Sequence, residues 1–500
     1  MKKLHPAWYL VIPAIASAAF CLLFSTTTSP LYPANVGYDS AFFRLVGQGM
    51  TQGLLPYRDF FDMKGPYLFL IEYLGQLICF GSTGILILQT VNLYLSLLLT
   101  LGIFRLLGVS SRRKRLVMLL PLLAALALTL QGGNITEEYS LIPLLSCLYI
   151  CLAFLRRMDS PEPFWTKRVY ALAGAWFGLM SGILVFIRIN NAAMIAACAL
   201  CVSIELIKAH KPGKLLPCAA GFVGGFALAV APPVVFYASR GMLKEFFDAV
   251  FVLGYRYSSE QSLLTHLRQM LKLKELTVLF LPVLAAVCLI PSVFRYGSSS
   301  YRRLLVLCGV FTFIAIIPGN GYTHYCALML PCFALAEALL VCNRKPRRML
   351  SRKARLAVAV ALLLALAAVP ACLIATGKIP ARRIKEYLFT EEESALILDV
   401  SSRIPESEKD SVLAWNVNAN FYTVADIYPC IKYCLWQNHY IKLMPGISED
   451  IQQLLFNAPP AWLVTMSGKP KLPGYLDELL ESGYSEVYSN KDYKLYRREQ

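Results

Sequence analysis

Residues 112–131 read RRKRLVMLLPLLAALALTLQ: the basic cluster Arg112-Arg113-Lys114-Arg115, then an apolar run that ends near Gln131. About 20 apolar residues of helix span the hydrocarbon core of a bilayer, so a run of this length reads as a transmembrane helix. The basic cluster marks the side on which it starts, because Lys and Arg collect in cytoplasmic loops. The pairing repeats along the chain. Apolar stretches long enough to span fall near 7–26, 84–108, 115–131, 138–155, 169–187, 189–207, 215–238, 276–294, 303–318, 323–342 and 355–376. The expected architecture is a polytopic α-helical membrane protein with about eleven transmembrane helices.

Charge sets the orientation. With Lys2 and Lys3 inside, the inside loops are 109–115, 156–168, 208–214, 295–302 and 343–354. After Arg112–Arg115 they carry Arg156-Arg157 with Lys167-Arg168, Lys208 with Lys211 and Lys214, Arg295 with Arg302, and Arg344-Lys345 through Lys353. The short outside loops 132–137 and 319–322 carry no Lys or Arg. This satisfies the positive-inside rule throughout. One shorter stretch, 66–80, holds Glu72 and Gln76. If it crossed, every later basic cluster would face outward, so it is expected to be a re-entrant or juxtamembrane helix on the outer face. The run behind Met1-Lys2-Lys3 has no obvious small-residue cleavage site and is expected to stay as the first helix.

The outside then holds the loops 27–83 and 239–275 and a tail, 377–500. In the tail, Val412-Leu413-Ala414-Trp415 and Trp462-Leu463-Val464 read as short buried strands. Asp450–Asn457 and Tyr475–Ser482 read as helices, and Tyr484–Tyr496 as a closing hairpin. A small C-terminal α/β extracytoplasmic domain is expected, following a transmembrane module over 1–376.

Composition agrees. The 500 residues are 57% hydrophobic and 16% charged, with a mean hydropathy of +0.54. A soluble protein carries about 25% charged residues. The net charge of +17 lies in inter-helix clusters with no groove-reading motif, which argues against a nucleic-acid partner. Most of the fifteen cysteines, such as Cys147, Cys151, Cys198 and Cys201, sit in apolar runs as small hydrophobes. Cys430 and Cys434 have no zinc spacing; a disulfide between them stays open.

Polar residues collect at the outer corners. Gly37 to Pro66 contains Asp39, Arg44, Arg58, Asp59, Asp62 and Lys64 among aromatics. Residues 39–51 have helical spacing, with Phe42, Phe43, Val46 and Met50 on one side, and suggest a helix along the membrane surface. Asp39 at its start can serve as an N-cap, as a general base, or as both. In Gln131–Tyr139, Asn134 or Thr136 can cap the next helix, with Glu137 and Glu138 in its first turn. Asn134-Ile135-Thr136 matches a glycosylation sequon but sits beside the membrane. Arg188, between two apolar runs, either snorkels to headgroups or holds an anion. His324 and Tyr325 mark a third corner, and Arg256 lies in the loop 239–275. A carboxylate near a hydroxyl can act as base, and cations can hold a departing phosphate.

The chain resembles the C-type glycosyltransferase superfamily (GT-C), in particular bacterial relatives of protein O-mannosyltransferases and of lipid A aminoarabinose transferases. The matching segments are Tyr38-Asp39-Ser40, Pro56-Tyr57-Arg58-Asp59 with Asp62-Met63-Lys64-Gly65-Pro66, Asn134–Tyr139, Arg188-Ile189-Asn190-Asn191, and His324-Tyr325 followed by Pro331. The resemblance implies a bacterial plasma-membrane enzyme that uses a polyprenyl-phosphate sugar donor. Transfer would occur with inversion at the outer face, onto a lipid, glycan or protein acceptor. It implies Asp39 as base, Lys64, Arg188 and Arg58 at the donor phosphate, and Asp59, Asp62, Glu137, Glu138, Arg256, His324 and Tyr325 lining the site. No cofactor and no metal are implied. The chain departs from the family where many relatives have Asp-Glu at Asp39-Ser40 and Lys-Pro-Pro at Lys64-Gly65-Pro66. A transporter or flippase of lipid-linked glycans is the rival reading, although repeated halves and broken mid-membrane helices are missing from the sequence. A glycan ligase or polymerase would differ mainly in its acceptor.

Overall fold

The computed structural model describes residues 7–160, 165–293, 300–318, 321–341, 391–468 and 472–499. The expected span at 355–376, the basic loop 343–354, most of the loop 295–302 and Gly319-Asn320 lie outside them.

Helices fill the apolar runs. They are α1 (Trp8–Phe24), α2 (Asp39–Thr51), α3 (Pro66–Ile78), α4 (Ser82–Leu106), α5 (Arg112–Val117), α6 (Leu119–Thr129), α7 (Thr136–Tyr139), α8 (Leu141–Met158), α9 (Lys167–Arg188) and α10 (Ala193–Lys208). Then follow α11 (Leu215–Ala238), α12 (Leu243–Phe247), α13 (Gly254–Ser259), α14 (Leu263–Leu271), α15 (Lys274–Val293), α16 (Ser300–Ile316) and α17 (Leu330–Val341). Among the described residues, 5 helical runs are long and apolar enough to cross a membrane: Ser82–Leu106, Thr136–Met158, Lys167–Lys208, Pro212–Ala238 and Thr323–Val341. The architecture is polytopic and helical. The run Lys167–Lys208 is not straight. Arg188 is extended (φ −162°, ψ 119°), and a 3₁₀ turn, Ile189–Ala192, separates α9 from α10.

Small residues set the packing of α9 on α11. A Cβ at Gly178 would stand 2.0 Å from the Phe222 carbonyl oxygen, and one at Gly225 1.9 Å from that of Ala175. Lipid provides no hydrophobic drive between helices, so such close backbone contact is what holds them together. This pairing carries the end of α9, and with it Arg188, to the site.

The α2 helix departs from the expected surface helix. Phe42, Phe43 and Val46 are buried, but so are Ser40, Ala41, Leu45, Gly47 and Gly49. α3 packs so closely that a Cβ at Gly47 would stand 2.7 Å from Glu72 Cβ. Thr423 of the tail donates to the Ala41 carbonyl at 3.0 Å. A helix lying on a membrane surface keeps a polar face in water; α2 is instead enclosed by other elements. α3 has 13 residues, roughly 20 Å of helix against about 30 Å of hydrocarbon.

The C-terminal residues form a 4-stranded sheet of order β1-β2-β4-β3. Its strands are β1 (Val412–Trp415), β2 (Trp462–Met466), β3 (Tyr484–Ser489) and β4 (Tyr493–Arg498). β1 and β2 are parallel, joined by a connection that includes the helices Asn420–Ala425, Gln437–Leu443 and Gly446–Asn457. β3 and β4 form the antiparallel hairpin. Cys430 and Cys434 are free thiols.

Candidate active site

The site begins with a turn. Gln131, Gly132, Gly133 and Asn134 all have positive φ (49°, 92°, 82° and 58°). Two glycines fill the middle of this run without Cβ strain. The turn docks on the segment that follows α1, where the Thr27 hydroxyl donates to the carbonyls of Gly132 (3.0 Å) and Gly133 (3.2 Å). Asn134 is buried and bonded through its amide, which donates to Ser40 Oγ at 3.0 Å and accepts from Tyr139 Oη at 2.8 Å. Its side chain is therefore closed to glycosylation. Neither Asn134 nor Thr136 caps α7: Ile135 occupies the N-cap and no side chain bonds there. Instead, Glu138 Oε2 accepts from the Asn134 backbone N–H and from Gln89, both at 2.9 Å.

Ser40 and this turn border a cavity of about 660 Å³, reached by Asp39, Lys64, Arg188, His324 and Tyr325. Asp39 opens α2, but the N-cap position is Tyr38, and no side chain bonds at that cap. Among the described residues, no hydrogen bond or ion pair engages the Asp39 carboxylate. The capping role fails, and a carboxylate at a helix N-terminus stands open to the cavity, favoured there by the helix dipole.

Lys64 is held by its backbone. Its N–H donates to Asp62 Oδ1 at 2.8 Å, and its carbonyl accepts from Tyr57 Oη at 2.7 Å. Tyr57 is itself buried, at a φ of 72°. Burial pulls the Lys64 ammonium down, but the Asp62 and Asp39 carboxylates outweigh it and hold its pKa above the ordinary value. The next residue, Gly65, touches α9: its N–H donates to the Ile187 carbonyl at 3.3 Å. Arg188 follows directly in α9. Its Nη1 donates to Glu137 Oε1 at 2.9 Å, and its guanidinium lies 3.8 Å from the Tyr325 ring centre. Arg188 is thus stacked and paired rather than snorkelled, which is how a buried guanidinium avoids an unpaired charge.

The other expected site residues divide. Asp62 is buried behind Lys64 and accepts from Tyr440 Oη at 2.9 Å. Glu137 stands behind Arg188, with its second oxygen unbonded. His324 Nδ1 hydrogen-bonds Gln131 Oε1, and its ring stacks on Tyr322. Arg58 is half exposed and pairs with its neighbour Asp59 at 2.8 Å, away from the cavity. Asp59 also accepts from the Leu55 N–H. Glu138 braces the turn as above. Arg256 donates to the Leu443 carbonyl at 2.8 Å, joining the loop 239–275 to the tail.

The sequence reading passes over three contributors. Tyr257 lines the cavity while Arg256 does not; one residue along a helix turns a side chain by about 100°. Asn418 and Trp436 reach in from the tail, bonded to each other at 3.0 Å. Trp436 is left-handed (φ 44°), a backbone conformation rare for a bulky residue. Nothing local in the sequence marks either one.

Comparison with protein-family models and with curated proteins finds no match. Among solved structures, the crystal structure of ArnT from Cupriavidus metallidurans bound to undecaprenyl phosphate matches with a TM-score of 0.57. The match has 12% sequence identity and covers 98% of each chain. ArnT from the same organism in the apo state matches with a TM-score of 0.55, at 12% identity and again over 98% of each chain. The likeness is one of fold: the chain has the fold of ArnT.

Proposed function

We propose that the chain is a glycosyltransferase that moves a sugar from a polyprenyl-phosphate-linked donor to an acceptor hydroxyl, with inversion. One observation carries the reading: a carboxylate with no hydrogen-bond or ion-pair partner among the described residues, Asp39, opens into the cavity that Lys64 and Arg188 also line. The fold of ArnT, seen bound to undecaprenyl phosphate in one solved structure, supports the donor class. Asp39 takes the proton of the acceptor hydroxyl, and that oxygen attacks the anomeric carbon from the face opposite the phosphate. The bond from the anomeric carbon to the phosphate oxygen breaks, and the polyprenyl phosphate leaves with both electrons. Lys64 and the open side of the Arg188 fork hold its growing charge, and this differential binding lowers the barrier. Tyr257, Tyr322, Tyr325 and Trp436 offer flat faces to sugar rings.

The topology belongs to the same proposal. The chain lies in a bacterial plasma membrane with about eleven spans, the last at 355–376. Its N-terminus is cytoplasmic, and 66–80 does not cross. The segment 377–500 is an extracytoplasmic domain that helps recognise the acceptor. Cysteine labelling of single residues in intact cells tests the orientation.

The function is tested by transfer from a panel of radiolabelled polyprenyl-phosphate sugars to crude membrane acceptor in lipid vesicles, for wild type and Asp39→Asn. Asn keeps the shape but takes no proton, so a loss of about a hundredfold or more is expected in a folded variant. Undiminished transfer by Asp39→Asn sinks the base assignment. Absence of transfer from every donor, with the acceptor supplied, sinks the enzyme reading.

A further inference from the structure

The candidate active site lies near the C-terminal end of α1 and the N-terminal part of α4, where Thr27 and Gln89 sit. A second pocket, of about 630 Å³, lies at the opposite ends of the same two helices. Its walls are Tyr9 and Leu10 of α1, Arg105 near the end of α4, the turn Gly108–Ser110, and Arg112 and Arg115 of α5. Three guanidinium groups therefore face one concavity. α4 has 25 residues, about 37 Å of helix, so this pocket is remote from the active site.

Arg115 is the informative residue. It is 6% exposed, and its Nε is buried with no hydrogen-bond partner. Its guanidinium lies 5.1 Å from the Tyr9 ring centre, and no carboxylate pairs with it among the described residues. The Tyr9 hydroxyl is likewise buried and unbonded. Burying a cation without a counter-charge is costly. Two unused donors, an N–H and an O–H, belong to residues that line this roomy pocket. A phosphate group matches this: its oxygens accept several charge-assisted bonds from guanidinium forks.

The surroundings select the kind of phosphate. Next to the pocket, α1 exposes Trp8 (52%), Leu10 (52%) and Val11 (40%), and the α5–α6 corner exposes Val117 (56%) and Leu120 (63%). Acyl chains would lie on such residues in a helix that borders lipid. Basic pockets between transmembrane helices are suited to anionic headgroups.

We propose that the pocket between α1, α4 and α5, walled by Tyr9, Arg105 and Arg115, binds the phosphate of an anionic phospholipid at the membrane face opposite the active site. The lipid phosphate supplies Arg115 with a counter-charge and ties α5 to the ends of α1 and α4. The assignment is independent of the sugar-transfer reading, because none of these residues lines the first cavity.

The test uses the full chain purified in non-ionic detergent and titrated with dioleoyl phosphatidylglycerol or dioleoyl phosphatidylcholine, with bound lipid counted by native mass spectrometry. Phosphatidylglycerol should bind at least about tenfold more tightly than phosphatidylcholine. That preference should drop by about tenfold in Arg115→Gln, since a hydrogen bond to a charged group contributes about that factor. Arg115 is buried and its variant can lose the fold, so exposed Arg105→Gln and conservative Tyr9→Phe are run beside it, each checked by melting temperature. Equal binding of the two lipids by wild type overturns the proposal, as does an unchanged preference in both Arg105→Gln and Tyr9→Phe. A parallel arm adds inorganic phosphate. If phosphate raises the melting temperature of wild type but not of Arg105→Gln, while phosphatidylglycerol is not preferred, the phosphate site stands and the lipid source is overturned.

Discussion

A Cβ on Gly65 would stand 2.1 Å from the carbonyl oxygen of Phe186, and 2.3 Å from its carbonyl carbon. Only glycine lets the loop that carries Lys64 pass α9 at this distance, two residues before Arg188. The two cations at the proposed donor phosphate are thus spaced by one backbone contact. Gly65→Ala must push the loop from the helix. Overpacking of this kind costs about 1–3 kcal/mol, and a 1 Å misplacement at a reacting centre can cost roughly a hundredfold in rate. A melting temperature lowered by a few degrees and transfer reduced more than about tenfold are expected. Wild-type transfer by Gly65→Ala would show that the spacing does not matter.

Arg188 depends on Glu137. The Glu137 side chain is 1% exposed, and Arg188 is its ion-pair partner at 2.9 Å. Removing one partner from a buried pair costs up to about 3–5 kcal/mol, so Glu137→Ala should melt earlier and let Arg188 drift from Tyr325. Arg188→Lys keeps the charge but loses the fork and the ring stacking. Its transfer should drop at least about tenfold, at near wild-type melting temperature. If Lys substitutes fully in a transfer assay, Arg188 supplies only a charge.

Which residues were legible follows from cost. Asp39, Lys64, Arg188 and His324 stand out in sequence because charged and titratable groups beside a bilayer are expensive without a purpose. All of them line the cavity. Arg58 and Asp59 stand out by the same rule, yet they neutralise each other at the surface; adjacency in sequence hides a local pair among functional charges. Arg256 and Tyr257 are inseparable in the sequence and diverge in space, because helical phase in an irregular loop depends on the π-helical stretch Asp248–Leu253 before it. Asn418 and Trp436 arrive by tertiary docking from far along the chain, through Tyr440 on Asp62 and Lys432 on Phe61. The glycines of α9 and α11 share a four-residue spacing readable as a packing stripe, but only the pairing of the two helices shows which stripes meet.

Lys64 supplies a pH signature. Its pKa is raised, with burial opposed by Asp62 and then Asp39. A raised folded-state value means that the charge, and the stability it contributes, is complete below the ordinary lysine value. Both are lost as pH rises through the raised one. The alkaline limb of transfer should therefore lie above the ordinary lysine value of about 10.4. Asp62→Asn removes the stronger supporting charge; its single amide oxygen can still accept from Tyr440, at the loss of the bond from the Lys64 N–H. The limb should move to lower pH in that variant, measured from the rate of transfer across the alkaline range. An identical limb in both proteins would separate the alkaline titration from Lys64.

The tail reaches the cavity through a strained residue. Trp436 has a φ of 44°, its indole N–H is committed to Asn418, and its flank packs near His439. A non-glycine residue in this conformation costs on the order of 1 kcal/mol and persists only where the surroundings hold it. The ring lines the cavity from the tail, whereas Asp39 comes from α2 and Arg188 from the end of α9; a residue supplied by the tail suits an incoming acceptor rather than a lipid-linked donor. An aromatic face there would bind the acceptor in the ground state and the transition state alike, and loss of such uniform binding raises KM while sparing kcat. Trp436→Ala should therefore raise the acceptor KM by about tenfold, leave kcat within about twofold, and leave the donor KM unchanged. A fall in kcat with both KM values intact would instead mean that the tail orders the Lys64 loop through Asp62 and Tyr440. The Tyr440→Phe variant separates the two roles, since it removes only the bond to Asp62 and should leave the acceptor KM alone.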